Sequence, residues 1–486
     1  MMILRTFILL LVVGTQVYSQ SWVNKGKITS DSSLAGTGYG WSVAIDGDYL
    51  VVAELTEGVV EVWHFDGSEK SKVAELTAKE GVYGDGFGSS VSISGNNVVV
   101  GAELALVQGV SSGAAYIYTK PSGGWHSMTE TAKITPSTRA DGNRFGSLVA
   151  LSGSTIAVGC SKDDSHGKDA GIVYIYEQHD QGWTDMTETA QLFPLSGQGI
   201  KDFGSILGFD GDHAVVADKH VGTIYVFVKP LGGWVDGNES AKLSAADSTV
   251  FGFVPFSSIC VSNKQIVAGS YGLNGDVGSI YIFTEPIEGW SDAVETTKIT
   301  PSITQGTAFF GSPVEASGDL IVVGDLYGGH GGIDSIKGAV SVYQKPIEGW
   351  TASTGMSKIV PADGVPGDYF GASIGVSGDK IIVGATGLGS NRIKPGAAYL
   401  YSTGPSLRSQ VPLKSIVSKA IPNPSTGSFT ISSPQPIKSV QIYNQLGTLV
   451  LSQTSIEVDI LDQPKGVYYI HVQTAGTSEV LRMVLQ

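Results

Sequence analysis

The sequence predicts an all-β chain: a seven-bladed β-propeller followed by a small Ig-like β-sandwich. Three observations predict it. One phrase recurs seven times along residues 39–403, the mark of a repeat architecture. Each copy reads as four short alternating runs separated by glycine-bearing turns, the pattern of a small antiparallel sheet. Past residue 403 the phrase stops, and a different set of short strands bounded by Gly and Pro fills the remainder. Glycine supplies 65 of 486 residues, but without the strict triplet period of a collagen.

Taken in order, residues 1–19 read as a cleaved secretory signal. Arg5 supplies the positive start, and Phe7 to Val13 is an apolar run too short to span a bilayer. Val17-Tyr18-Ser19 suits signal-peptidase cleavage between Ser19 and Gln20. No later stretch reaches membrane-spanning length, so the mature chain is expected to lack a transmembrane segment.

Residues 20–403 form the propeller. The clearest copies begin at Phe87-Gly88, Phe145-Gly146 and Phe370-Gly371; others begin at Tyr39-Gly40, Phe203-Gly204 and Phe310-Gly311. From that glycine to the residue closing the second run the gap is constant, as in Gly88 to Gly101 and Gly311 to Gly324. The fifth copy departs: Phe251-Gly252 lies too far before Gly269, and counting back reaches Phe256, so a bulge is expected at Val254-Pro255. Turns such as Ser94-Gly95-Asn96 join the first two runs as tight hairpins. After the third run comes a Gly-Trp turn at Trp125, Trp183, Trp234, Trp290 and Trp350. A Lys-Ile-Thr-Pro run such as Lys133 to Pro136 closes the blade. Four antiparallel strands repeated seven times make a propeller. The seventh copy lacks its closing run, which stands at the N-terminus as Trp22 to Thr29; strand 22–29 is expected to complete the last blade.

Inner-strand residues alternate small with branched, as Ser90 and Ser92 against Val91 and Ile93. The small side suits crowding at a central channel. Tyr116 and Tyr118 fill the wider gap farther out, so the aromatic residues need no ligand to explain them. Cys160 and Cys260 occupy non-equivalent places in non-adjacent copies and are expected to be free, buried thiols.

Formal net charge is −15, which argues against a nucleic-acid partner. No nucleophile elbow, paired-carboxylate spacing, phosphate-binding loop or zinc spacing is present, so no catalytic residue is assigned. The acidic loop residues Asp163, Asp164, Asp169, Asp363 and Asp368 are the candidate cation or glycan ligands, with Ca2+ the cation considered.

The phrase Phe-Gly-x-Ser-Val…Ser-Gly…Val-Val-Gly-Ala resembles the FG-GAP repeat of integrin α-subunit propellers, and more closely the bacterial variant with Trp and Lys-Leu-Thr runs. The resemblance covers about 380 residues and implies a seven-bladed ring. It also implies calcium loops of the form Asp-x-Asp-x-Asp-Gly between strands. Here tight turns such as Asp46-Gly47-Asp48, Asp210-Gly211-Asp212, Asp319 and Asp379 stand in their place, each with at most two carboxylates, and are expected to be solvated hairpins.

Residues 404–415 read as a linker, and 416–486 as the sandwich. Three boxes in order, Pro422-Asn423-Pro424…Gly427, Tyr443…Gly447 and Gly466…Tyr468, closely resemble the C-terminal sorting domain of the type IX secretion system of Bacteroidota. Arg482 stands where that family usually has lysine. The resemblance implies the secretion machinery as a partner. It implies a mature protein released or held at the outer-membrane surface. The expectation is a secreted or cell-surface non-catalytic binding or adhesion propeller with a protein or glycan ligand. The alternatives are a carbohydrate-binding lectin-like module and a secreted hydrolase or lyase with a loop-built site.

Overall fold

The computed structural model describes residues 21–31, 36–195, 201–218, 220–247, 256–271, 277–301, 310–326, 337–387, 395–403, 419–421, 425–433, 436–444, 449–474 and 478–485. The signal with Ser19 and Gln20, the linker 404–415, Val254-Pro255, Pro422 to Pro424 and Gly447 lie outside them. The described residues form strands and turns with no helix. The chain divides into two compact units, Met1–Gly404 and Pro405–Gln486.

In the first unit the inner strands are Tyr39–Asp46, Phe87–Ser94, Phe145–Ser152, Leu207–Phe209, Ser258–Ser262, Phe310–Ser317 and Phe370–Ser377. Each pairs antiparallel with a second strand and that with a third, as Phe145–Ser152, Thr155–Cys160 and Ile172–Glu177 do in blade three. A fourth strand closes each blade. In blade seven that strand is Trp22–Ile28, antiparallel to Ala397–Thr403, with Trp22 opposite Thr403 and Ile28 opposite Ala398. The ring is thus closed by pairing the first described strand to the third strand of blade seven.

The apolar core is not central. It is divided into clusters that each straddle one seam between neighbouring blades, because a twisted sheet has two faces to cover. Phe87, Tyr116 and Tyr118 of blade two pack with Val60 and Val62 of blade one. Ala115 and Ile117, on the other face of the same strand, pack with Phe145 and Tyr174 of blade three. The same alternation carries through blades three to seven. A last cluster joins Ile382, Ala398 and Leu400 of blade seven to Tyr39, Val43 and Ile45 of blade one, with Ile28 between them.

The recurring glycines follow from how closely the blades approach. A Cβ on Gly171 would stand 2.2 Å from the Phe203 carbonyl oxygen, and one on Gly159 would stand 2.1 Å from that of Gly204. Both clashes are with main chain of the next blade, which cannot swing aside. The Phe-Gly and Gly-small-aromatic phrases are two halves of one seam. In blade five the ring that meets the third-strand tyrosine is Phe256, edge-on to Tyr281 at 5.6 Å, as Phe310 meets Tyr343 in blade six.

Inner-strand serines stitch the seams at the channel. Ser42 accepts from the Val91 N–H, Ser90 from Val149, Ser92 from Leu151 and Ser258 from Val314, each at 2.9 to 3.0 Å. Outer edges are closed by acids that follow the Gly-Trp turns. Asp185, Asp236 and Asp292 each accept a backbone N–H from the outer strand of the preceding blade. Glu188, Glu239 and Glu295, three residues further on, and Glu130 at the equivalent place after Trp125, accept another just past that strand. A carboxylate on an edge amide blocks pairing with a foreign strand. Part of the chain's acidity therefore has a structural use.

The second unit has a three-stranded sheet containing Ser428–Ser432 and a four-stranded sheet ordered Leu449–Gln453, Ile437–Asn444, Gly466–Thr474, Ser478–Leu485. Phe429, Ile431, Val440, Ile442, Tyr468 and Ile470 form its core.

Candidate binding face

The propeller has two unlike ends. At one end the first and second strands meet through short turns in every blade, such as Gly47-Asp48, Gly95-Asn96 and Gly378-Asp379. At the other end the second and third strands are joined by connections of very different length. Blade one needs only the residues between Glu54 and Val59, whereas blade two runs from Ala102 to Ala114 and carries its own hairpin, Leu106–Val107 with Val110–Ser111. Blade three runs from Cys160 to Ile172. Variable loops on a constant frame are where such scaffolds meet ligands.

The sequence-predicted acidic residues sit in two places, and none is free. Asp163 is buried and accepts from Asn143 Nδ2 at 2.8 Å, the Tyr174 hydroxyl at 3.2 Å and the Ser165 N–H at 2.9 Å. Asp164 accepts from the Asp169 N–H at 2.7 Å, and Asp169 lies 3.9 Å from Lys162. Asp363 accepts from Lys27 at 2.9 Å and from the Tyr399 hydroxyl at 3.1 Å. The Lys27 ammonium holds its carboxyl below the usual range. Asp368 accepts from the Val365 N–H at 2.7 Å. The two groups belong to the blade-three loop and the lead-in to blade seven, and they do not converge. The hairpin acids fit calcium no better: Asp46 accepts from the Gly95 N–H, Asp48 and Asp379 pair with Lys380, and Asp210 binds His213. Calcium needs six or more oxygens around one point, and these turns do not supply them.

Three carboxylates do meet, at Asp31, Glu61 and Glu75. Lys72 stands among them, 2.6, 3.1 and 2.8 Å from the three. Burial opposes its charge, but the hydrogen bonds to Asp31, Glu75 and Glu61 prevail and raise its pKa. The cluster is blade one's version of a seam clamp that sequence reasoning missed. In three other blades a lysine of the outer strand lies over a third-strand tyrosine and reaches an acid from the preceding blade. These sets are Lys27 with Tyr399 and Asp363, Lys133 with Tyr116 and Glu80, and Lys298 with Tyr281 and Asp247. The signal was in the sequence: the acid follows the lysine position of the preceding copy by five residues, as Lys358 to Asp363 and Lys242 to Asp247. Lys72→Met should cost about 2 kcal/mol, because it strands the buried Glu61 charge. Lys72→Arg, which keeps the charge, should recover most of the loss in urea midpoint. Equal loss in the Met and Arg variants would refute the electrostatic role.

At the seam of blades four and five, His213 lies between two carboxylates. Nδ1 is 3.1 Å from Asp210 Oδ2, and Nε2 is 4.0 Å from Glu285. Lys264 approaches Glu285 at 3.7 Å, and the Trp290 ring stands edge-on to the imidazole. The hydrogen bond to Asp210 raises the His213 pKa, against the opposing effect of burial. Burial would raise Asp210, but the His213 contacts bring it below its usual value. A raised histidine stabilises fully below pH 6.5, and its contribution fades as pH rises through the folded value; the Asp210 contribution fades as pH falls below 3.8. His213→Asn should therefore cost most near about pH 5 and little above about pH 8. A stability difference that stays flat across this range would remove the ion pair from the account.

The Gly-Trp tryptophans are packing residues. Trp125, Trp183 and Trp234 are buried, and Trp234 and Trp350 donate to Gly211 and Gln265. Both thiols are free and buried. No helix of the described residues is long and apolar enough to cross a membrane.

In the second unit, Gly427 takes a positive φ of 131° with Leu461 so close that a Cβ would meet its Cα at 2.8 Å. Tyr468 is buried and donates to the Pro464 carbonyl, Tyr443 donates to Gln441 and lies against His471, and Gly466 pairs opposite Leu485.

Comparison with known proteins bears on both units. The FG-GAP repeat model matches residues 22–58, 71–118, 128–176 and 354–401. The secretion system C-terminal sorting domain matches residues 419–486. No curated protein sequence matches the chain. Solved structures similar to it include U3-55K (13% identity, 77% of this chain and 97% of that one, TM-score 0.47) and the RRP9 WD40 repeats (13%, 77% and 96%, 0.48). Another is the WD40 domain of Toxoplasma gondii coronin (10%, 79% and 85%, 0.47). A tail of the sorting family implies export to the cell surface or the extracellular space through the type IX machinery. The chain carries FG-GAP repeats in its β-propeller and ends in a secretion system C-terminal sorting domain.

Proposed function

We propose that the exported chain is a non-catalytic recognition or adhesion propeller, gripping an extracellular protein or glycan with its variable-loop face. One observation carries the reading: connection length varies strongly at one end of the ring, while the hairpins at the other end stay tight. A frame held by glycine contacts, serine bridges and lysine clamps lets such loops change without disturbing the blades. The candidate acidic loop residues Asp163, Asp164, Asp363 and Asp368 are engaged in bonds that hold the fold, which supports a structural use for them rather than a cation site.

The test is a glycan and matrix-protein array probed with residues 20–410, with calcium and with a chelator. Saturable binding to one class is expected. It should be lost when the Ala102–Ala114 connection is shortened to the length of its blade-one counterpart, and it should be indifferent to chelation. Binding that survives loss of this loop and of the other long connections would move the site off this face. No binding to either class would overturn the reading.

A further inference from the structure

The inner strands enclose a channel cavity of about 380 Å³ at the ring axis. Its wall is small or apolar almost throughout. Glu315 is the one charged side chain among the described residues lining it. At the same level of the ring the other six blades present Ala44, Ser92, Ala150, Gly208, Cys260 and Gly375. One carboxylate therefore stands where every other blade has a minimal side chain.

Its isolation sets it apart. Other poorly exposed carboxylates of the ring have side-chain partners or several main-chain donors, whereas among the described residues Glu315 has only the Ala316 backbone N–H. Glu61 meets Lys72 and Tyr39, Asp163 meets Asn143 and Tyr174, and Asp325 meets Lys358 at 3.2 Å. No side chain among the described residues bonds or pairs with Glu315. A charge withdrawn from bulk water without a counter-charge is costly, and no cation among the described residues compensates it.

We propose that the channel is a binding site for a small organic cation bearing one protonated amine, with Glu315 as its counter-ion. The chemistry of the wall selects the class. A divalent ion needs several carboxylate or carbonyl oxygens, and the acids at the hairpin end of the inner strands, Asp46 and Asp210, are already held by Gly95 and His213. An ammonium needs one negative charge and a few neutral acceptors. Ser42, Ser90, Ser92 and Ser258 line the cavity, and each hydroxyl oxygen accepts a single backbone N–H. A second lone pair and the hydroxyl proton remain for a ligand. The volume lies at the small end of the range for compact organic ligands.

Protonation makes the site report on itself. Burial pushes the Glu315 carboxyl up to about 8, offset in part by the Ala316 backbone N–H. The free site then carries its proton at neutral pH. An arriving ammonium displaces that proton to solvent, so binding and proton release are coupled. Among the described residues no other titratable side chain lines the cavity except the Cys260 thiol, which burial raises well above its usual range.

The experiment uses the mature chain and four probes: butylamine and glucosamine, with butanol and glucose as neutral counterparts. Calcium chloride and potassium chloride form separate arms. Thermal shift and calorimetry are read at pH 6.5 and 8.5. Both neutral probes should be silent, and at least one amine should bind more than tenfold tighter at pH 8.5. Calorimetry in buffers of different ionisation enthalpy should show about one proton released per amine bound at pH 6.5. Glu315→Gln should melt no lower than the parent and lose the binding, while Glu288→Gln, on an exposed turn, should keep it. Should Glu315→Gln fail to fold, the proton count on the parent chain still decides. Silence of both amines, equal response to the neutral probes, no proton release, or a response to the inorganic cations alone would overturn the proposal. The loop-face reading is untouched by any of these results, because the array of the preceding section tests a different surface.

Discussion

Replacing Gly171 by alanine should destabilise the propeller by about 3 kcal/mol or more, among the largest effects of any one-methyl change in this chain. Gly171 opens the third strand of blade three with φ of +79°, a conformation that already disfavours a side chain. The added Cβ would lie 2.2 Å from the Phe203 carbonyl oxygen and 2.7 Å from its nitrogen. Neither atom belongs to a flexible side chain, so relief requires blades three and four to part. That separation would open the cluster in which Phe203 packs with Val173, Ile175 and Tyr225. Gly153 supplies the control. It has φ of +58° and nothing within 4 Å of its Cβ position, so Gly153→Ala should show only the backbone cost of about 1 kcal/mol. Urea unfolding of both variants decides. Equal losses would mean that conformation, not the approach of the blades, explains the recurrent glycine.

Deleting residues 20–30 should lower stability by on the order of 5 kcal/mol, from lost apolar burial, edge pairing and a clamp. Strand Trp22–Ile28 touches three blades. It pairs with Ala397–Thr403 in blade seven, Lys27 reaches Asp363 from blade six, and Ile28 is buried with Tyr39 of blade one. Lys70 of blade one also donates to the Lys25 carbonyl at 2.8 Å. Without the strand, the third strand of blade seven becomes an open edge. Near- and far-ultraviolet circular dichroism should then lose signal together, at one lowered temperature, because the ring is one cooperative body. A truncated protein that melts with the parent would sink the closure. A separate minor transition would confine the damage to blade seven.

Much of this architecture is legible in the residues. The constant gap from the Phe-Gly glycine to the end of the second run corresponds to an inner hairpin whose register the structure displays, Phe145 opposite Cys160 and Ser152 opposite Thr155. Hairpin and strand are local, and local rules of period and turn chemistry reach them. The sorting boxes are legible for the same reason: each is a short contiguous phrase. The fifth blade was harder, because Phe256 sits at the glycine position by count yet fills the aromatic place against Tyr281. A count along one chain does not register which ring occupies a shared space.

The candidate site divides along the same line. Sequence alone picked out Asp163 and Asp363 as acids in loops, but their partners Asn143, Tyr174 and Lys27 come from other strands and other blades. Residue types along the chain determined that there are seven blades, where they turn, and which segment closes the ring. Only the tertiary structure decided that Lys72 neutralises three carboxylates from two blades and that Glu315 faces an axial channel with no side-chain partner among the described residues. The physical reason is range. Strand and turn preferences act over a few neighbouring residues, whereas charge pairing and desolvation depend on what the closed ring brings within a few ångströms across its seams and at its axis.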